Sequence, residues 1–386
     1  MTENFDQLAF RPQEYLARRD ALRAMMAERG IDVVVLTSTE NTYYLTGFGS
    51  LAYGATALVM RADGKAIWVM RRTELSNVRA LADQLWVNEG LGVVDGQDFS
   101  KVLDGAIADL GGPNAVLAVE FAATLPSLRG FLGPLTGARK VVDASGLVEH
   151  LRRIKSATEI ALLRRAGAIV AQSCRDGFEA LHEGMTDSAL AAVVSDSLLR
   201  NGSGRVAQMP NVCAGPRTAR AHVTWCGAPI RRGEVINVEP AASVQDYHTP
   251  LYRIYSIGEP QDLVRRMFDV CRDALNEGYA RVRPGMTSHE AARIFETVVE
   301  KAGFGEYMVT RPAYSIGASF PPGWGEDNVM AIRAGNEQVL EEGMCFHICS
   351  CLYMDGVGCI PASMPSVLTK NGFEPLADDE VVFGVK

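Results

Sequence analysis

Helix-spaced and strand-like apolar positions alternate over the first part of the chain. From Glu14 to Gly30, Leu16, Leu22, Met25 and Met26 fall on one side of a helix that the glycine closes. The β-branched run Ile31 to Leu36 predicts a strand, and Ala55 to Met60 and Ala66 to Met70 predict two more. The segment Asn41 to Gly47 falls between two of these elements. Alternation continues to about residue 150, which predicts a small α/β domain over 1–150.

The pattern then changes. Ser156 and Glu159 have capping-box spacing, so a long helix begins there with Ile160, Leu163 and Ala166 on its buried stripe. A second domain is therefore expected over 151–386, and the fold class is α+β. It contains a weak internal repeat. Gly184-Met185-Thr186 opens a helical stretch ending near Gly202, and Gly285-Met286-Thr287 opens another of equal length ending near Gly303. Gly233 to Glu239 likewise matches Gly343 to Cys349, polar residue on polar residue. Two halves related by a pseudo-two-fold axis, with strands facing each other across a cleft, would explain both repeats. Alternation along the strands puts Asn237 and Glu239 on one face, and His347, Cys349 and Cys351 on one face.

Composition narrows the function. The 386 residues, 47% of them hydrophobic, suffice for two cores. With 38 basic against 46 acidic residues, net charge −8 and no long block of either sign, no nucleic-acid partner is expected. Apolar runs such as Val33 to Leu36 are strand-sized and the charged N-terminus lacks a secretory core, so no membrane partner and a cytoplasmic location are expected. The eight cysteines are spread through a large chain and read as reduced thiols. Cys345, Cys349, Cys351 and Cys359 crowd its end without the paired spacing of a zinc site.

Across nearly its whole length the chain resembles the creatinase/prolidase family, in the N-terminal helix and strand, the linker Leu151 to Ser156 and the order of the later motifs. The resemblance implies a creatinase-type N-terminal domain, a C-terminal pita-bread domain, and a homodimer whose small domain reaches the partner's cleft, with Tyr53 in the reaching segment. Family peptidases hold two divalent metals with carboxylates and a histidine, a hard donor set. Here those positions carry Glu239, Pro250, Tyr314, Cys349 and Met364, and the second catalytic histidine falls on Pro321. No metal and no cofactor are therefore expected.

One family histidine remains. His222 occupies the place used as general acid/base by the metal-free creatinases. The segments Asp246 to Arg253 and Tyr314 to Glu326 look like those of the ectoine hydrolase branch, whose members open a cyclic amidine that bears a carboxylate. The stretch Gly358 to Met364 lacks the acidic residues usual there.

Together these features lead to a metal-independent hydrolase of a non-peptide C–N bond in a small zwitterionic, amidine-like substrate. The expected catalytic residues are His222 and Glu239, with Cys349 as an alternative nucleophile. The expected substrate contacts are Tyr53, His248, Tyr314, Trp324, Glu326 and His347, Trp324 offering a π-face to a planar cation. A creatinase-type amidinohydrolase and a non-catalytic peptide-binding domain are the competing readings.

Overall fold

The computed structural model describes residues 8–50, 55–112, 114–122 and 139–386. It divides into two compact units, Met1–Arg152 and Arg153–Lys386.

The first unit is a six-stranded mixed sheet with strand order β4-β3-β2-β1-β5-β6, formed by β1 Val33–Leu36, β2 Ala57–Arg61, β3 Ala66–Arg71, β4 Gly90–Val93, β5 Leu117–Val119 and β6 Val141–Asp143. Helices cover both faces, which is why β1 is apolar at every position. Val34 and Leu36 join the core built on Leu22 and Met26 of the helix Pro12–Glu28, while Val33 and Val35 join Leu103 and Ile107 of the helix Phe99–Gly111. In the first helix Tyr15, Arg18, Leu22 and Met26 are the buried positions, so Leu16 and Met25 lie at the edge of the predicted stripe.

The segment expected between elements is itself a helix, Thr39–Thr46. Ser38 caps it by accepting from Asn41 N–H, and Gly47 closes it at φ 80°. Its polar residues are buried for a reason that periodicity does not carry. Asn41 donates to Glu120 at 2.6 Å and to Glu149 at 3.0 Å, and accepts from Arg152 at 2.7 Å.

In the second unit the capping box at Ser156 is formed and starts the helix Ala157–Ala180, which packs on the helix Asp187–Arg200. The helices Asp262–Arg281 and Ser288–Lys301 form the equivalent pair. The repeat extends to detail: Thr186 and Thr287 each cap a helix of 14 residues, and each makes an isolated antiparallel bridge, to Pro229 and to Val339. One half supplies β7 Asn211–Ala214, β8 Ile236–Glu239, β9 Ala241–Val244, β10 Tyr247–Pro250 and β11 Arg253–Ser256. The other supplies β12 Ala313–Ser315, β13 Ala331–Ile332, β14 Cys345–Met354, β15 Gly358–Thr369 and β16 Gly372–Pro375, and β17 Gly384–Val385 returns to pair with β11. The sheets run β17-β11-β8-β7 and β13-β12-β14-β15-β16, with β9 and β10 as a separate hairpin.

Candidate active site

A cavity of about 370 Å³ lies in the second unit between residues of both halves. From the first half come Asn211, Cys213, Asn237, Glu239 and Tyr252, and from the second Tyr314, Trp324, Cys349 and Cys351. Strand register explains the selection. Asn211 stands opposite Glu239 and Cys213 opposite Asn237, so one face of the β7–β8 pair supplies four of these side chains. Cys349 and Cys351 alternate with Ser350 in the same way on β14.

Glu239 is half-buried, and the surface it keeps opens on the cavity. Its Oε2 accepts from Asn211 Nδ2 at 3.1 Å. Burial raises its carboxyl to about 7, with the Asn211 hydrogen bond opposing the shift. His222 lines the same cavity, is exposed, and has φ 56° in the left-handed region that a β-carbon disfavours. Such a backbone persists where surrounding structure fixes it.

Cys349 and Cys351 have their Sγ atoms 3.1 Å apart. The bond from Cys351 favours the Cys349 thiolate, but burial and nearby Glu239 outweigh it and raise the thiol. Cys351 is pushed up further by its bonds to Cys349 and Cys359 and by burial. Both therefore remain thiols at neutral pH, a poor state for nucleophilic attack.

Tyr314 and Trp324 also line the cavity, Trp324 donating from Nε1 to the Tyr314 hydroxyl at 2.9 Å. With Trp324 only 5% exposed, its indole is part of the wall. Arg311 lies 4.7 Å above the Tyr314 ring and is paired with Asp327.

Three expected substrate contacts lie elsewhere. Glu326 is buried, 2.9 Å from Lys155 Nζ and 3.1 Å from Ser315 Oγ, because it packs against Ser315, which alternates with Tyr314 on β12. Its carboxylate is also why position 317 is glycine: a β-carbon there would stand 2.7 Å from Glu326 Oε1. His248 is buried, accepting at Nε2 from Ala207 N–H and donating from Nδ1 to Asp246 O, each at 2.9 Å. Burial lowers it to about 4, so it is a neutral strut. His347 is fully buried behind Tyr314, with Nδ1 2.8 Å from the Tyr314 hydroxyl and Nε2 2.9 Å from Ser363 Oγ. Tyr53 lies outside the described residues.

Sequence reasoning missed Asn211, Arg220, Tyr252, Arg311 and Asp327 in the lining. Asn211 and Cys213 alternate around Val212, a signal like the one that singled out Asn237 and Glu239. The others stand at loops and strand ends, where alternation gives no face.

The positions that resemblance assigns to a two-metal cage do not provide one. Pro250 has no donor atom and Met364 pairs with Ile348, leaving Ser363 opposite Cys349. The Tyr314 hydroxyl is already bonded to Trp324 and His347. Among the described residues, no group of three or more histidine, cysteine, aspartate or glutamate side chains is arranged to hold an ion.

Residues 18–154 match the creatinase/prolidase N-terminal domain, and residues 161–367 match metallopeptidase family M24. The ectoine hydrolase of Halomonas elongata is 28% identical over 395 aligned residues, covering 96% of this chain and 97% of that protein. A probable dipeptidase PepE of Mycobacterium bovis is 31% identical, covering 89% of each chain. Among solved structures, dipeptidase PepE from Mycobacterium ulcerans superposes with a TM-score of 0.83 at 27% identity, covering 97% of this chain and 99% of that one. A prolidase from Thermococcus sibiricus superposes at 0.87 with 20% identity, covering 96% and 99%, a likeness of fold alone. The chain belongs to metallopeptidase family M24, a family of hydrolases, and carries the creatinase/prolidase N-terminal domain and the pita-bread fold.

Proposed function

We propose that this protein is a metal-independent hydrolase that opens a C–N bond in a small zwitterionic, amidine-like compound. One cavity holds Glu239 and His222 together, and among the described residues no donor set for two metals is arranged, which supports this reading. A carboxyl near 7 is divided between its two protonation states at neutral pH, which suits it to accept and return a proton. In its ionised form Glu239 draws a proton from water as the water oxygen bonds to the amidine carbon, or attacks that carbon itself, in which case water cleaves the resulting Glu239 ester after the nitrogen has left. The C–N bond then breaks as protonated His222 gives its proton to the departing nitrogen. One water is consumed, the amidine carbon becomes an amide carbonyl, and the nitrogen leaves as an amine.

The likeness to ectoine hydrolase supports this substrate class, and the likeness to PepE supports a dipeptidase. The second requires metal chemistry that Pro250, Tyr314 and Met364 are not equipped to sustain. A non-catalytic peptide-binding role leaves the perturbed carboxyl of Glu239 without a purpose. Incubating the protein with cyclic amidine carboxylates, creatine and proline dipeptides, with products followed by mass, decides among these. Gain of one water by the amidine supports the proposal, and cleavage of a dipeptide in its place overturns it.

A further inference from the structure

Hydrogen bonds behind the cavity wall fix the direction of one proton inside it. Ser363 is fully buried, and its Oγ accepts from Tyr252 N–H at 3.0 Å. The hydroxyl must also donate. Among the described residues its one acceptor is His347 Nε2, 2.9 Å away. A buried hydroxyl left without an acceptor is destabilising, so Ser363 donates and Nε2 accepts. His347 is held neutral by burial and by Arg253 and Arg311, which lower it to about 3. A neutral imidazole has one N–H, here on Nδ1 and aimed at the Tyr314 oxygen 2.8 Å away.

Trp324 Nε1 can only donate, and it too bonds the Tyr314 oxygen. That oxygen thus accepts twice, which fills its accepting capacity. The phenol keeps its own proton, because burial and nearby Glu239 hold it well above the ordinary range. No described residue accepts that proton, so it points into the cavity that Tyr314 lines. Arg311 covers the Tyr314 ring at 4.7 Å. The opposite polarity, Tyr314 to His347 to Ser363, leaves the proton of the buried Ser363 hydroxyl without an acceptor among the described residues.

We infer that Tyr314 is a preorganised hydrogen-bond donor to an acceptor oxygen of the bound substrate, aimed by Trp324 and by the Ser363–His347 relay. Tyr314 is then a catalytic residue, and His347, Ser363 and Trp324 are positioning residues. The assignment rests on this cavity being the reaction site, and it sharpens the substrate class. Tyr314 has no lone pair to offer a substrate N–H. Asn237 lines the cavity, but its amide serves the wall: Nδ2 donates to Cys359 O at 2.9 Å and to Tyr252 Oη at 3.0 Å, and its Oδ1 is closed off from the cavity. The site thus asks for an oxygen toward Tyr314 and leaves substrate N–H groups to Glu239. The Tyr314 bond remains a hydrogen bond throughout, with no proton transferred.

The direct test needs no substrate. In the full chain labelled with ¹⁵N-histidine, His347 is expected to be neutral from pH 5 to 8 with its proton on Nδ1, and Ser363→Ala should weaken that preference. A proton on Nε2 overturns the inference, because Tyr314 would then spend its proton on His347. The kinetic arm uses ectoine. Tyr314→Phe should lower kcat/KM by roughly 10²–10³-fold, chiefly through kcat. His347→Asn, which keeps an N–H near the Nδ1 position, should recover activity lost in His347→Leu. Wild-type rates in Tyr314→Phe, with the fold intact by circular dichroism, also overturn it. Failure of the wild-type protein to open any amidine would sink the proposed reaction and the catalytic role of Tyr314, while the tautomer measurement would still report whether the donor is aimed.

Discussion

Asn211 and Glu239 stand opposite each other on adjacent antiparallel strands, and the Asn211 amide donates to one carboxyl oxygen of Glu239 at 3.1 Å. The bond engages Oε2 and opposes the rise in pKa that burial imposes. Removing it in Asn211→Ala should push the carboxyl up further, so the acidic limb of the pH–rate profile should move to higher pH. A limb unmoved in that variant would mean that Glu239 is not the group being titrated.

Glu239→Gln keeps size and one hydrogen-bonding oxygen but loses charge and nucleophilicity. Turnover should fall by at least ~10²–10⁴-fold with the fold preserved. The same variant should change stability in a pH-dependent way. A carboxyl raised from 4.5 to about 7 contributes stability that is fully present below the unfolded pKa and is lost as pH rises through the folded one. At about 1.4 kcal/mol per unit, discounted for the side open to the cavity, the penalty above pH 7 is on the order of 2 kcal/mol. Thermal melts should therefore show Glu239→Gln gaining more over wild type at pH 8 than at pH 5.

For His222 two effects separate. His222→Ala should lower turnover by roughly 10²–10⁴-fold, with partial recovery on substrates that have better leaving groups. His222→Gly should be as inactive but more stable than the alanine variant by ~1 kcal/mol, because φ 56° costs glycine nothing. Equal melting temperatures for the two variants would show that the backbone there relaxes in solution.

The cysteines test the alternative nucleophile. Cys226 is exposed, whereas Cys349 is half-buried with its thiol raised. Iodoacetamide at neutral pH should modify Cys226 first, and Cys349→Ala should retain most activity. A substrate adduct on Cys349 by mass spectrometry would move the nucleophile there.

Much of this site was legible in the chain because strand alternation is periodic. Alternation puts Asn237 with Glu239, and His347 with Cys349 and Cys351, and of these five all but His347 line the cavity. The capping box at Ser156 and the paired helices after Thr186 and Thr287 were legible for the same reason, since caps have fixed spacing. What stayed hidden depends on contacts distant in sequence. Glu326 is an ion-pair partner because Lys155, 171 residues away, folds against it. His248 and His347 are struts because burial and specific acceptors neutralise them, and no local pattern reports either. The helix Thr39–Thr46 shows no apolar stripe because polar Asn41, Thr42 and Thr46 are buried with Tyr44 and Leu45, Asn41 being satisfied by Glu120, Glu149 and Arg152 from later segments.

On the proposed mechanism Glu239 and His222 open an amidine without a metal. The most direct measurement is the rate of ectoine opening by protein exhaustively dialysed against chelator, with metal content determined on the same sample. Turnover should equal that of the untreated protein with far less than one ion per chain, and should vanish in Glu239→Gln. Activity that disappears on dialysis and returns with added manganese or zinc, at two ions per chain, would contradict it.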